Sequence, residues 1–182
     1  MTSAQFASLS TAQIGALSTG SIAAIQTADI VGISTAGIAG LKSNQIAALV
    51  TDQIATLSSN QLVALTTAGV RALTTDQVVA LTTAQAAALS TQQVAAFSTD
   101  AIAALETADF AALKTAAIAG LSTNQIRALT TDQVVALTTA EANALSSAQV
   151  AALSTDAVAA LQTADLAALK TCLLYTSPSP RD

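Results

Sequence analysis

The side chains most able to act as nucleophiles in this 182-residue chain are its serines and threonines, which recur every few residues. None has a histidine to take its proton, because the chain contains no His. The hydroxyl–imidazole arrangement that activates a serine is therefore absent. Paired carboxylates such as Asp100 and Asp109 are the remaining acid/base candidates. They are read as lying on charged solvent faces, and no catalytic residue is assigned. The single Cys, Cys172, excludes a disulfide or a cysteine-based zinc site within one chain. Haem finds no His, and the only Met is Met1. The seven glycines occur singly, so no phosphate-cradling loop is present. No cofactor-binding or metal-binding residue is assigned.

The elements that would carry any function are set by an eight-residue repeat. Leu73-Thr-Thr-Asp-Gln-Val-Val-Ala80 returns unchanged as Leu129 to Ala136. Numbered from its leucine, position one is Leu in 18 of 22 octads, so it is a core position. Position three is Ser or Thr in all 22, and position six is Ile, Val, Leu or Phe in 19 of 21. Position eight is always small, which suits close helix packing. No insertion breaks the register from Met1 to Thr171. Charges fall only at positions two, four, five and seven. Unpaired buried charge is costly, so positions one, three, six and eight are expected to face inward and the other four to reach solvent. The five aspartates at position four, Asp52, Asp76, Asp100, Asp132 and Asp156, are scattered among Ala and Asn, which argues against a metal ladder.

One continuous α-helix does not suit this period. Eight residues make about 2.2 turns, so the apolar positions would spiral round the axis. Helices broken once per octad solve the problem. Ser or Thr at position two followed by Gln at position five is the capping-box pattern, found in nine of the 11 octads that carry that Gln. Leu73 with Val78, and Leu129 with Val134, then form hydrophobic staples. Asp29, Asp109 and Asp165 replace that Gln where position two is Gln26, Glu106 or Gln162, which suggests that positions two and five touch. The strict hydroxyl at position three is either a true cap in some octads or a buried group bonding a neighbouring octad. A β-solenoid with short strands is the alternative, disfavoured by the alanine content. The expected fold is an all-α solenoid of short capped helices, one per octad. A lone octad cannot offset its ordering entropy, so stability must come from stacking.

A longer period overlies the first. Leu73–Thr115 matches Leu129–Thr171 at 35 of 43 positions, an offset of seven octads. Duplication of a coding segment accounts for it, and a superhelical repeat of seven octads is the sharper alternative.

Two parts are expected: the octad solenoid over 1–171 and a non-repeat tail over 172–182. The tail, from Cys172 to Asp182, resembles translated sequencing-adapter read-through and is expected to be disordered. Ala128-Leu-Thr-Thr-Asp-Gln-Val-Val-Ala-Leu137 resembles the LTTxQVxA octapeptide arrays of large bacterial repeat proteins, often labelled as haem-utilisation or adhesion proteins. That resemblance implies a non-enzymatic structural or adhesive segment of a larger secreted or surface protein. The same octad resembles the opening of the DNA-reading repeats of transcription-activator-like effectors, but it lacks their basic character and base-reading loop.

The net charge of −5 disfavours nucleic acid and anionic membranes. No stretch approaches the ~20 apolar residues of a membrane span, and no Sec-type signal is visible at Met1–Phe6. Other proteins or surfaces met through the repeat faces are the expected partners. Uncapped ends would allow end-to-end self-association. An extracellular or surface location is favoured. Two alternatives stand beside the structural role. One is an ice- or surface-binding array built on the Thr ladder, which buried position-three side chains would rule out. The other is an intracellular protein-binding α-solenoid using position seven, with Val31, Val63, Val79 and Val135.

Overall fold

The computed structural model describes residues 2–161 together with Asp165 and Leu169. Among these residues every regular element is a short helix, and there is no strand. The first seven are α1 (Ser3–Ala7), α2 (Thr11–Ala16), α3 (Thr19–Ala23), α4 (Thr27–Ile30), α5 (Thr35–Ala39), α6 (Ser43–Ala47) and α7 (Thr51–Thr56). The next seven are α8 (Ser59–Val63), α9 (Thr67–Arg71), α10 (Thr75–Val79), α11 (Thr83–Ala88), α12 (Thr91–Ala96), α13 (Thr99–Ala104) and α14 (Thr107–Ala111). The last are α15 (Thr115–Ala119), α16 (Thr123–Arg127), α17 (Thr131–Val135), α18 (Thr139–Ala144), α19 (Ser147–Ala152) and α20 (Thr155–Ala160). The expected architecture of one capped helix per octad is what the chain forms.

The capping box explains where each helix begins. Thr74 is extended at φ −75°, ψ 162°, and its Oγ1 accepts from the Gln77 N–H at 3.2 Å. Gln77 Oε1 in turn accepts from the Thr74 N–H at 2.9 Å. Position two is thus the cap, and position three is the first helical residue. Where position two is Lys42 or Val50, only the glutamine half of the box forms. Each helix ends through position one, which is extended in its turn, as at Leu57 (φ −56°, ψ 135°). Two extended residues therefore separate successive helices. No described residue has positive φ, so the break needs no glycine and Leu can occupy it.

Packing runs between octads rather than along the chain. Helix α7 stacks on α10, α10 on α13, α13 on α16 and α16 on α19, each three octads apart. Side-chain hydrogen bonds between layers join residues 25 to 31 apart in sequence. One turn of the superhelix therefore takes between three and four octads. Two turns in seven octads is the whole-number solution, and it matches the 56-residue period. Leu at position one and Ile or Val at position six form one continuous core, including Leu73, Val78, Leu105 and Ile102. Isolated helices of five or six residues are not stable in water, and lateral stacking supplies what they lack.

The inward-facing set differs from the charge-based expectation. Positions one and six are buried as expected, but position five is buried too: Gln53 is fully buried, and Asp109 is only 2% exposed. Position three is largely at the surface, as at Thr75 and Thr99. A buried carboxylate is tolerated where a donor is supplied, and Thr83 Oγ1 donates to Asp109 Oδ1 at 2.7 Å. Charge parity marks where unpaired charge is costly, and these acids are paired with hydroxyls.

Small residues at position eight have a steric cause. A Cβ on Gly40 would overlap Thr11 Cγ2, and one on Gly120 would come within 2.7 Å of Thr91 Cγ2. At Gly32 the obstacle is the backbone of Ser3, with two of its atoms at 2.8 Å and its carbonyl oxygen nearer still. Position eight of one helix thus rides against position three of the helix three octads before.

Candidate functional site

The polar machinery of the molecule is a ladder of buried glutamine amides. Gln77 Nε2 donates to Ile46 O at 2.8 Å and to Leu49 O at 2.6 Å. Gln85 does the same to Ile54 O at 2.8 Å and Leu57 O at 2.7 Å, and Gln133 to Ile102 O at 2.8 Å and Leu105 O at 2.9 Å. Helix C-termini leave carbonyls without intrahelical donors. Here each is served by a glutamine 28 or 31 residues later, whose Oε1 caps its own helix. One side chain joins the start of one helix to the end of another. The sequence carried a signal for this second role. A capping box accepts Glu as readily as Gln, and the helix dipole favours Glu. Yet Gln outnumbers Glu at position five by 11 to one, which means the NH₂ is needed.

Other octads complete the layer contacts differently. Where Ala117 cannot donate, Lys114 Nζ reaches Ala88 O and Leu89 O, each at 3.2 Å. The position-three hydroxyl is not a cap. Thr11 Oγ1 donates to Ala36 O at 3.2 Å and Ser3 Oγ to Ala28 O at 3.0 Å, so it ties its helix to the one three octads later. Of the two readings of this hydroxyl, the bond to another octad's carbonyl holds, but at the surface rather than in the core.

The aspartates at position five use the same hydroxyls. Ser3 Oγ donates to Asp29 Oδ1 at 2.9 Å, and Thr139 Oγ1 to Asp165 Oδ1 at 2.9 Å. They do not bond the side chain at position two: neither Gln26 nor Glu106 makes a side-chain cap bond. The joint change at positions two and five therefore reflects loss of the capping box rather than contact. Asp109 Oδ2 is the one buried side-chain polar atom among the described residues with no partner. Asp109 was expected on a solvent face and lies inside, while Asp100 is exposed, so the two do not form an acid/base pair.

Two surface columns emerge from the three-octad offset. The position-four aspartates are not scattered: Asp52, Asp76 and Asp100 sit on the stacked helices α7, α10 and α13, and Asp132 and Asp156 on the stacked pair α17 and α20. The second column is Thr51, Thr75, Thr99 and Thr123, all exposed, followed by half-buried Ser147. The valines at position seven, Val31, Val63, Val79 and Val135, are also exposed. Among the described residues no group of three or more His, Cys, Asp or Glu side chains surrounds a metal position. A cleft of about 390 Å³ lined by Phe6, Ser21, Ala24, Ile25, Gln26 and Asp29 opens beside α1 and α4. It brings no nucleophile together with a base. No described helix is long and apolar enough to cross a membrane. Cys172 and the tail lie outside the described residues.

Every polar group in the layers serves the next layer, which is the design of a tandem-repeat α-solenoid. The ALTTAQ repeat family model matches residues 22–59, 57–91, 102–139 and 143–171, most of the chain, and the chain belongs to that family. No curated protein matches the chain.

Proposed function

We propose that this chain is a non-enzymatic structural segment, acting as a spacer or an extended interaction surface within a larger secreted or surface protein. The observation that carries this reading is the use of the polar side chains. Glutamine amides, position-three hydroxyls and Lys114 are spent on joining layers, and the outward faces repeat without a distinct pocket of convergent reactive groups. An array of this kind adds length per octad and presents the same surface many times over.

Deletion of residues 73–128 tests the spacer role. Seven octads leave in register, so Ala72 meets Leu129 and the layers should close again. X-ray scattering should show a shorter particle of unchanged cross-section, with unchanged helicity per residue. A collapsed or unfolded product contradicts a modular spacer. For the adhesive role, the full chain displayed on a cell that otherwise does not attach should promote attachment. No gain in attachment contradicts adhesion.

The exposed hydroxyl column supports one further reading, a surface-binding array. Position three is not buried, so the requirement set for this reading is met along Thr51, Thr75, Thr99 and Thr123. Thermal hysteresis and adsorption to hydroxylated or ice surfaces test it. Replacing Thr75, Thr99 and Thr123 by Val should alter adsorption without altering helicity, and absence of adsorption by the native chain removes the reading.

A further inference from the structure

One rung of the amide ladder has its polarity reversed. In the duplicated segment Gln85 corresponds to Glu141, 56 residues later. Glu141 keeps the capping half of the glutamine role. Its Oε2 accepts from the Thr138 N–H at 2.8 Å and from Thr138 Oγ1 at 2.9 Å, and the Glu141 N–H donates to Thr138 Oγ1 at 3.3 Å. Its other oxygen, Oε1, then stands where Gln85 places its Nε2. The ladder register sets Phe110 O and Leu113 O opposite it, 31 and 28 residues earlier, as Ile54 O and Leu57 O are set opposite Gln85. Two carbonyl oxygens thus face a carboxylate oxygen where every other rung has a donor. Glu141 is 4% exposed, and no described residue donates to its Oε1. A second buried carboxylate, Asp165, is held by the adjacent Thr139.

We propose that Glu141 Oε1, Phe110 O and Leu113 O form a binding site for a hard divalent cation of the calcium class. Three acceptors without a proton between them repel one another in a buried setting, and a cation converts that repulsion into coordination. The donor set suits calcium, which takes carboxylate and main-chain carbonyl oxygens and completes its shell with water. The spacing suits it as well. Rung contacts of 2.7 to 2.8 Å at Gln85 match the roughly 3 Å between neighbouring oxygens around a cation with bonds of about 2.3–2.6 Å. The ion would lie to one side of the three oxygens rather than at the amide position. Asp165 adds negative potential nearby. With one carboxylate ligand the site falls in the weak range, with a dissociation constant on the order of 10⁻⁴–10⁻³ M.

The test uses the full chain and its isosteric variant Glu141→Gln, with calcium chloride as the probe. Thermal melting of the native chain should rise on going from chelator to millimolar calcium. Glu141→Gln, which restores the amide, should melt higher than the native chain in chelator and should not respond to calcium. Asp76→Ala should respond as the native chain does, which separates this site from the exposed aspartate column. A native chain indifferent to calcium overturns the proposal, as does a Glu141→Gln variant that responds equally. Recovery of stability by mild acidification alone, with no calcium effect, also overturns it, because the rung would then hold a proton.

Discussion

Removing one amide from the ladder should cost several kcal/mol, although the substitution looks mild. Gln77 is 2% exposed and makes three bonds of its own: Oε1 from the Thr74 N–H, and Nε2 to Ile46 O and Leu49 O. Each such bond is worth about 1 kcal/mol net, and a buried carbonyl left without its donor costs about 1–3 kcal/mol more. Ile46 O still accepts from the Leu49 N–H at 3.1 Å, so the stranded group is Leu49 O. The sum for Gln77→Ala is roughly 3–5 kcal/mol. Asp76→Ala, one residue away and exposed, should change stability by less than about 0.5 kcal/mol. Urea unfolding followed by circular dichroism reads the totals. Because repeat arrays can depart from two-state behaviour, native-state hydrogen exchange should be read alongside. Protection should fall selectively at the end of α6 and the start of α10. A Gln77→Ala variant within about 0.5 kcal/mol of the parent, or one losing protection uniformly, refutes the view that position-five amides join the layers.

Three other outcomes follow from the same geometry. Gly20→Ala should stabilise by about 0.5–1 kcal/mol, since its Cβ meets nothing nearer than Ser18 Oγ at 4.0 Å and alanine is the better helix former. Gly32→Ala should destabilise despite the same propensity gain, because the Ser3 backbone occupies the space; thermal melts of the pair show opposite signs. Glu106→Ser introduces a cap where none exists and should gain about 1 kcal/mol, whereas Thr74→Ala should lose a similar amount by removing one. Asp109→Asn keeps an oxygen for Thr83 and removes the charge carried by the partnerless Oδ2, so urea unfolding should show a gain of about 1 kcal/mol.

Local features of this fold were legible in the chain because their partners are close in sequence. Thr74 and Gln77 are three residues apart, and so are Thr130 and Gln133. Leu73 and Val78 announce the staple in the same way, and the helix boundaries follow from these pairs. What was illegible lies between layers. The second partner of Gln77 is 28 residues away, and nothing local shows that its amide is shared. The alignment of Asp52, Asp76 and Asp100 could not be seen before the three-octad offset was known. Charge parity misplaced Asp109 because the rule assumes an unpaired acid, and Thr83 supplies the pair. The position-three hydroxyl resisted a local explanation for the same reason, since Thr11 finds its acceptor at Ala36.

The stacking itself is tested most directly by a spin-label distance between residues 28 and 100. Both hold position four, and α4, α7, α10 and α13 stack in succession between them. Three layers at helix-packing distances of about 8–10 Å place the two backbone sites about 24–30 Å apart. A single continuous helix would separate them by about 108 Å at 1.5 Å per residue, and three β-solenoid layers by about 14 Å. A distance distribution centred near 24–30 Å, after allowance for the label arms, is the predicted result. One centred near either of the other values contradicts the solenoid of capped helices.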